Sequence, residues 1–425
     1  MMKRSISRVL WFSVLNVIAV GMAGQLGHTQ TFAPLHEFTG GADGADPFAG
    51  LTVDRAGNLY GTAAGGSSQS QCRGAAFKLT HTRSGWLFEP LYCFTGGDDG
   101  ESPEARIVFG PDGALYGTTN NGGGSGCGGG GCGTVFELRP PASVCQAVSC
   151  PWTETVLYRF GGGTDGAQPE VGDLAFDSAG NIYGTTIRGG GSGCSGGGCG
   201  VVFELVRGAG GGWTEQLLYS FSGGNDGGFP VGVVFDSSGS LFGTTYVNGM
   251  YSCGTVFQLT NLGPTWEENT IYSFNPNIGD ACNPYSGVAF DNSGNLYGTN
   301  YDGGYQGGGA VFQLAPDGGG GWSETVVYAF TSGLGMGGPE GEVTVDQHGR
   351  ILGTTAGGGA YGFGAAFEIT PSSGGWTYTS LHDFLGFGDG ELPMGSVVTD
   401  TEGNFFGTAS LGGEYGDGAV WEVTP

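Results

Sequence analysis

Short apolar runs separated by turns of glycine and aspartate fill almost the whole chain. In one representative copy the runs cover residues 288–291, 295–299, 309–314 and 322–330. Runs of four to eight residues rich in Val, Phe, Tyr and Thr, bounded by Gly and Asp, are typical of β-strands. Each copy therefore predicts four short strands, and no sustained helical period follows the first 23 residues.

This four-strand pattern occurs seven times, and a Gly-Thr pair marks the end of each second strand. The pairs recur at intervals of 54 to 67 residues. Their threonines are Thr62, Thr118, Thr185, Thr244, Thr299, Thr354 and Thr408. A period of this length is typical of repeat architectures, and four-stranded sheets around an axis form a β-propeller. We therefore predict an all-β, seven-bladed β-propeller with four-stranded antiparallel blades.

The ends of the chain are out of phase with the repeat. After residue 23 the chain begins with a fourth strand that ends at Phe38, and it finishes with a third strand at residues 421–423. Residues about 30–38 are therefore expected to complete the sheet that residues about 393–425 begin. The prediction is a single propeller domain, residues 24–425, whose ring is closed non-covalently by its N-terminal strand.

The turn between the first and second strands has Gly in all seven copies and Asp at its first position in six. Glycine suits a backbone with positive φ, and an Asp carboxylate accepts backbone N–H groups within such a turn. We interpret these Asp residues as structural rather than catalytic. They are Asp54, Asp177, Asp236, Asp291, Asp346 and Asp400.

Residues 1–23 have the pattern of a secretory signal peptide. Lys3, Arg4 and Arg8 precede an apolar stretch at residues 9–20, and small residues follow at a suitable cleavage site. An uncleaved anchor is the alternative, but the apolar stretch is short for a membrane span. The protein is therefore expected to be secreted or held at the cell surface, without a membrane span after cleavage.

The charge is strongly one-sided, with 13 Lys and Arg against 39 Asp and Glu. A surface of one sign repels phosphate backbones and anionic lipids, which excludes nucleic acid as a partner class. The 94 glycines would suggest disorder in a chain without a period. Because the period is present, we expect a folded chain. The protein is also expected to be a monomer.

Export permits disulfides, and the ten cysteines can be arranged in five pairs. Three pairs are close enough in sequence to bridge locally: Cys127 with Cys132, Cys194 with Cys199, and Cys145 with Cys150. Elimination leaves two longer pairs: Cys253 with Cys282, and Cys72 with Cys93. Zinc binding is the alternative for the local pairs, but neither His nor a second Cys-x-x-Cys accompanies them.

One copy of the repeat carries a family resemblance. It reads Leu-Tyr-Gly-Thr-Thr, then Gly-Gly, then Gly-Thr-Val-Phe-Glu-Leu, at residues 115–119, 122–124 and 133–138. This motif resembles the GloVer tandem repeat of "choice-of-anchor" secreted bacterial proteins, and the resemblance covers residues 35–425. The Asp-x-x-Gly-Asn-Leu-Tyr of residues 291–297 is more loosely similar to NHL-type propeller repeats. The resemblance implies an exported repeat protein, often with a C-terminal anchor, and supplies no activity. Because the chain stops at Pro425 directly after a strand, free secretion is favoured.

The loops after the second and fourth strands are expected to share one face of the disc, called here the loop face. A proline follows each fourth strand, and in six copies an Asp stands four residues before it. These residues are Asp43, Asp99, Asp165, Asp226, Asp280 and Asp389. Turn formation is the first interpretation, because Asp-Gly favours turns. The alternative is a ring of carboxylates at the mouth of the channel that binds Ca²⁺, joined by Glu104, Glu170 and Glu340.

No nucleophile elbow, zinc-protease motif or phosphate-binding loop is present, so neither catalytic nor cofactor-binding residues are predicted. The first hypothesis is a non-catalytic scaffold that binds a protein or a glycan through its loop face. Its candidate residues are Glu104, Arg106, Glu170, Tyr285 and Glu340. Aromatic candidates on the same face are Phe48, Phe229, Tyr246, Tyr251, Tyr285, Tyr305 and Tyr361. The alternatives are an extracellular glycan-processing hydrolase or lyase that uses paired carboxylates, and a purely structural role in an envelope layer.

Overall fold

The computed structural model describes residues 30–66, 72–141, 152–332 and 338–424. Within these ranges the strands form seven sheets, which surround a narrow channel as the blades of a propeller. The predicted all-β, seven-bladed β-propeller is confirmed. The signal sequence and the Cys145/Cys150 pair lie outside the described residues. No helix in the described ranges is long and apolar enough to cross a membrane.

The strands are numbered in chain order, beginning with β1 (Thr31–Glu37). Blade 1 contains β2 (Thr52–Val53), β3 (Leu59–Ala63), β4 (Ala75–Thr82) and β5 (Gly85–Cys93). Blade 2 contains β6 (Val108–Phe109), β7 (Leu115–Thr119), β8 (Thr134–Arg139) and β9 (Thr153–Arg159). Blade 3 contains β10 (Ala175–Phe176), β11 (Ile182–Thr186), β12 (Val201–Arg207) and β13 (Trp213–Ser220). Blade 4 contains β14 (Gly228–Phe235), β15 (Leu241–Val247), β16 (Thr255–Asn261) and β17 (Trp266–Ser273).

Blade 5 has two additional short strands. It contains β18 (Ala281–Cys282), β19 (Ala289–Phe290), β20 (Leu296–Asn300), β21 (Asp302–Gly303), β22 (Gly307–Pro316) and β23 (Trp322–Thr331). Blade 6 contains β24 (Thr344–Val345), β25 (Ile351–Thr355), β26 (Ala365–Ser372) and β27 (Gly375–Asp383). Blade 7 contains β28 (Val398–Thr399), β29 (Phe405–Ala409) and β30 (Ala419–Thr424), with β1 as its outer strand. Single turns of 3₁₀ helix lie at Cys127–Gly129, Cys194–Gly196 and Pro276–Ile278.

The ring closes between the two ends of the chain, as the phase of the repeat predicted. Strand β1 pairs antiparallel with β30, from Thr31 opposite Thr424 to Glu37 opposite Ala419. Phe38, directly after β1, is fully buried and packs against Phe77 of blade 1 with ring centroids 5.3 Å apart. The N-terminal strand therefore completes blade 7 and also contributes to its interface with blade 1.

The same aromatic contact joins every pair of neighbouring blades. The aromatic residue that ends the fourth strand of one blade packs on the aromatic residue of the third strand of the next, at 4.9 to 5.7 Å between centroids. The seven pairs are Phe38–Phe77, Phe94–Phe136, Phe160–Phe203, Phe221–Phe257, Phe274–Phe312, Phe330–Phe367 and Phe384–Trp421. These rings fill the core between blades, and their regular spacing explains the regular phenylalanines of the sequence.

Asp54 shows how the turn between the first two strands is built. Its Oδ1 accepts the N–H groups of Ala56 and Asn58 at 2.8 and 2.9 Å, and its Oδ2 accepts the Asn58 amide at 2.7 Å. Gly57 follows with φ of 81°. These turn hydrogen bonds lower the pKa of Asp54, although burial opposes them. The structural interpretation of this Asp set agrees with these contacts.

Four disulfides connect the described cysteines, and each joins partners expected from the sequence. They are Cys72–Cys93, Cys127–Cys132, Cys194–Cys199 and Cys253–Cys282. The two local bridges close Gly-rich loops that follow the second strands of blades 2 and 3. Free thiols are absent from the described part of the chain. The eight described cysteines therefore form covalent bridges rather than a zinc site.

Candidate functional site

The loops after the second and fourth strands meet on one face, as expected. In blade 1, for example, Ala45 pairs with Gly65, and the N–H of Asp46 donates to the carbonyl of Asp417 in blade 7. The same backbone hydrogen bond joins neighbouring blades at six interfaces of the described loop face, through the N–H groups of Asp46, Ser102, Gln168, Phe229, Asn283 and Leu392.

The residue before each proline of this face is strained in six of the seven copies. These residues have φ between 53° and 60°, a left-handed backbone that side chains other than glycine rarely adopt. They are Asp46, Ser102, Gln168, Phe229, Asn283 and Leu392. The conformation persists because both backbone groups are used: the N–H of Ser102 donates to Arg73 of blade 1, and its carbonyl accepts from Asn120. The chain turns at each strained residue, and the residue after the following proline reaches the channel.

The residue after each proline lines the opening of the channel on the loop face. These seven residues define the channel mouth: Phe48, Glu104, Glu170, Val231, Tyr285, Glu340 and Met394. At this position three blades supply a carboxylate, one a phenol and three an apolar side chain. A cavity of about 460 Å³ lies at the mouth, between Glu104, Glu170, Tyr285 and Met394. The mouth therefore presents side chains of different charge and polarity from different blades.

Two of the three mouth carboxylates have hydrogen-bond donors. The Asn120 amide donates to Glu104 Oε2 at 2.9 Å, and the Tyr285 hydroxyl donates to Glu170 Oε1 at 3.3 Å. Burial and then the charge of Glu170 raise the pKa of Glu104 to about 7. Burial also raises the pKa of Glu170, although the Tyr285 hydrogen bond opposes it.

Glu340 is different, because it has no hydrogen-bond partner among the described residues. Only 9% of it is exposed, and burial raises its pKa to about 7. The charge of Glu340 contributes to the raised pKa values of Tyr246, Tyr285 and Tyr301, and Tyr285 lines the channel together with Glu340. The rings of Tyr246 and Tyr285 are also in edge contact, with centroids 5.2 Å apart.

Below the mouth, an ionic group occupies the throat of the channel. Arg106 Nε donates to Asp173 Oδ2 at 2.8 Å, and a second guanidinium nitrogen donates to the same oxygen. Glu342 lies beside this pair. Burial, followed by the charge of Asp173, raises the pKa of Glu342, although Arg106 opposes the shift. Arg106 is therefore paired with Asp173, in the next blade, and not with Glu104.

Sequence reasoning missed Asp173 and Glu342 as channel residues. One signal was present for Asp173: the next buried apolar residue, Leu174, comes five positions after its proline, whereas Ile107 comes four positions after its own. The extra residue places a carboxylate opposite Arg106. For Glu342 the signal was a charged residue at a position occupied by glycine in blades 1 and 5.

The six loop-face Asp residues are held by their own turns, and none of them is among the residues that line the channel mouth. Asp99 is representative: it accepts from the Thr95 N–H and hydroxyl at 2.8 and 2.7 Å, and from the Tyr92 hydroxyl at 3.2 Å. The same turn or outer-strand contacts hold Asp43, Asp165, Asp226, Asp280 and Asp389. Their carboxylates are directed back to the outer strand because the local turn supplies the donors.

Metal binding by these Asp residues stays a prediction. In the described ranges, no group of three or more His, Cys, Asp or Glu side chains is arranged to hold a metal ion.

Instead, four of these Asp residues face a Glu of the following blade. The pairs are Asp99–Glu154, Asp165–Glu215, Asp226–Glu268 and Asp280–Glu324. Burial and then the neighbouring Asp raise the pKa of Glu154 to about 7. The signal in the sequence was a Glu two residues after the Trp of each of these blades. At the other three interfaces stacked rings replace the Glu: His36–Phe88, Tyr328–Tyr378 and Phe32–His382.

The aromatic candidates divide between the mouth and the outer rim of the loop face. Phe48 and Tyr285 are half-buried at the channel mouth. Phe229 and Tyr246 are also half-buried, and the Arg188 guanidinium lies 4.5 Å from the ring centre of Phe229. Tyr251, Tyr305 and Tyr361 are exposed. Six exposed apolar side chains of these loops were missed: Met250, Ile278, Phe363, Leu385, Phe387 and Tyr415. Phe387 is 91% exposed. The exposed set lies on loops of blades 4 to 7, so the apolar rim covers one side of the ring.

The sequence profile of the Gloeobacter/Verrucomicrobia repeat matches residues 23–196, 126–337 and 193–421. The chain belongs to this repeat family. The GloVer resemblance is thereby confirmed, and each of the overlapping matches spans about three blades. No curated protein sequence matches the chain.

Solved structures with this fold are distant in sequence. A protein described as a 6-phosphogluconolactonase from Bacteroides uniformis has 15% identity and a TM-score of 0.50, over 82% of this chain and 87% of that one. The extracellular domain of a hybrid two-component system protein from B. thetaiotaomicron has 13% identity and a TM-score of 0.53. That match covers 93% of this chain but only 42% of the other. At these identities the similarity shows the propeller fold alone.

Proposed function

We propose that this member of the repeat family is an exported, non-catalytic binding module that takes a protein or a glycan at its loop face. The channel mouth is the centre of the proposed site. One observation carries the proposal: Glu340 lines the channel with only 9% of its surface exposed, and no described residue donates a hydrogen bond to it. Its carboxylate is therefore open to a donor from a ligand, and a hydrogen bond to a charged group contributes about 1.5 to 3 kcal/mol.

The distribution of variation supports a binding role. The contacts that build the ring, such as Phe38–Phe77 and Phe94–Phe136, repeat at every interface, whereas the seven mouth residues differ in charge and polarity. The exposed rings of Tyr305 and Phe387 extend the site outward on one side. A rigid ring that presents variable side chains on one face suits recognition more than chemistry.

The proposal is tested by screening the secreted full-length protein against glycan and peptide arrays, with Glu340→Ala as the site variant. Glu267→Ala is the control, because Glu267 is exposed on an outer strand. We expect a ligand class that the wild type and the control retain and that Glu340→Ala loses. A ligand retained equally by all three proteins places recognition elsewhere and contradicts the proposal.

A second candidate function is an extracellular glycan-processing enzyme. One observation favours it: Glu104 and Glu340 have pKa values of about 7, which suits carboxyl groups that donate a proton near neutral pH. The test is incubation of the protein with neutral and acidic polysaccharides, followed by detection of new reducing or unsaturated ends. If the wild type forms product and neither Glu104→Gln nor Glu340→Gln does, the result supports the enzyme and contradicts the binding proposal.

A further inference from the structure

The channel mouth and throat contain more carboxylates than cations. Glu104, Glu170 and Glu340 lie at the mouth, and Asp173 and Glu342 lie below them. Within the described ranges Arg106 is the cation that pairs with any of them, and its partner is Asp173. Arg188 lowers the pKa of Glu170 through its charge but forms no ion pair with it in the described structure. Four carboxylates are thus left without a paired cation.

Glu340 is the group among them that most needs a partner. It is nine-tenths buried and lines the channel, and the described residues offer it no hydrogen bond. Tyr285 lines the same cavity, and its ring is in edge contact with that of Tyr246. A carboxylate with an aromatic ring beside it in the channel suits an organic cation, because ring faces attract positive charge as the carboxylate does.

The shape of the channel limits what that cation can be. A cavity of about 460 Å³ lies at the outer side of the mouth, beside Glu104, Glu170 and Tyr285. The cavity that Glu340 lines, which continues into the throat at Arg106 and Glu342, contains only about 60 Å³. A throat of that volume has room for about four water molecules. It is too narrow for a sugar ring, but it admits the tip of a thin, flexible side chain. A metal ion fits less well, since three carboxylates are not brought together anywhere in the described ranges.

We propose that the channel mouth binds the ammonium or guanidinium tip of a lysine or arginine side chain on an extended segment of a protein partner. The tip enters between Glu340 and Tyr285 and points towards Glu342, while the rest of the segment lies on the loop face. The strong excess of acidic residues in the chain, 39 against 13 basic ones, attracts such a basic segment during its approach. This inference rests on the proposed binding function and names the chemistry of its ligand.

The test is calorimetric titration of the secreted full-length protein with short peptides that differ in one central residue. The residue is lysine, arginine, acetyl-lysine or norleucine, with glycine on both sides. Norleucine keeps the apolar stem of lysine and removes the charge. We expect the lysine and arginine peptides to bind at least tenfold more tightly than the two uncharged ones. Equal affinity for lysine and norleucine would overturn the inference.

Two variants assign the effect to the mouth. Glu340→Gln removes the negative charge of the side chain and keeps its shape. This variant is expected to bind the lysine peptide at least tenfold more weakly than the wild type. Glu267→Gln removes the same charge from an exposed outer strand and is expected to change affinity less than twofold. Equal effects of the two variants would show that only the overall charge matters, which contradicts the inference. A melting temperature for each variant confirms that it is folded.

A glucosamine oligomer and an N-acetylglucosamine oligomer serve as further probes. If the glucosamine oligomer binds at the mouth and the lysine peptide does not, the partner is a glycan and the protein-partner inference fails. If a neutral glycan binds and Glu340→Ala abolishes it, the proposed function stands and the cation inference alone fails. If the binding of no array ligand depends on Glu340, the proposed function and the cation inference both fail.

Discussion

The hydroxyl of Thr408 in blade 7 donates a 2.8 Å hydrogen bond to the carbonyl of Ala49 in blade 1. The threonines of five other Gly-Thr pairs make the same bond to the next blade. They are Thr62 to Ala105, Thr118 to Pro169, Thr244 to Ser286, Thr299 to Gly341 and Thr354 to Gly395. In the remaining pair, Thr185 accepts from the N–H of Gly232. The most regular dipeptide of the sequence is thus a hydrogen-bonded link between blades, and at Thr408 it closes the ring.

Replacing Thr408 by valine tests this link. Valine keeps the shape of the side chain but leaves the buried Ala49 carbonyl without its donor, which costs about 1 to 3 kcal/mol of unfolding free energy. The measurement is the denaturant midpoint of the full-length protein. Thr377→Val is the control, because Thr377 is exposed on an outer strand. Identical midpoints for the two variants would contradict the role of Thr408 in closure.

Replacing Gly298 by alanine tests the packing inside a blade. A Cβ at Gly298 would lie 2.5 Å from Cζ of Phe312, the ring that fills the interface with the preceding blade. We expect a loss of about 1 to 3 kcal/mol in unfolding free energy, because the buried ring must move. Gly319→Ala is the matched control, since its nearest neighbour is the Asp317 carboxylate at 3.4 Å on an exposed turn. A midpoint for Gly298→Ala within error of that control would show that the core accommodates the methyl group.

The carboxylate pairs between blades predict that the unliganded protein becomes less stable as the pH rises. The pKa values of Glu154, Glu215 and Glu324 are raised from 4.5 to about 7 by burial and then by a neighbouring Asp. A carboxyl group with a raised pKa stabilises the folded state fully below pH 4.5, and this contribution is lost as the pH rises through 7. Each group contributes on the order of 1 kcal/mol after screening is considered. Melting temperatures are therefore expected to fall between pH 5 and pH 8.

Glu215→Gln identifies the source of this pH dependence. The amide cannot ionise, so the melting temperature of the variant should fall less between pH 5 and pH 8 than that of the wild type. Glu267→Gln should leave the pH dependence of melting unchanged. A wild-type melting temperature that rises from pH 5 to pH 8 would contradict the pairing of Asp165 with Glu215.

Reduction of the disulfides should loosen two loops before it affects the core. Cys127–Cys132 and Cys194–Cys199 each close a short Gly-rich loop on the surface of blades 2 and 3. Limited proteolysis with and without reductant should therefore show faster cleavage at residues 122–133 and 189–200 only after reduction. The loop at residues 356–364 of blade 6 has no cysteine and is the internal control. Equal cleavage rates with and without reductant would show that the bridges do not hold these loops.

The repeat of the sequence determined the blade count, the four-strand order and the ring closure. These features depend on neighbours within one copy or on the phase of the copies. The four described disulfides were predicted from cysteine spacing and by elimination. Asp54 and Gly57 form their turn within five residues, and β1 is recognisable because it carries the fourth-strand pattern without the three strands that should precede it. Local hydrogen bonding and apolar periodicity are visible in a linear sequence, so this part of the fold could be predicted.

Only the tertiary structure decided which carboxylates share a site. Asp99 and Glu104 are five residues apart, yet Asp99 is held by Thr95 and Tyr92 at the outer strand while Glu104 lies at the channel mouth. The strained Ser102 between them turns the chain, and a left-handed backbone at a serine before proline has no sequence signature. Arg106 and Asp173 are 67 positions apart, and they meet because seven rigid blades bring one residue each to a common axis. The direction of a side chain at the axis follows from the closure of the whole ring.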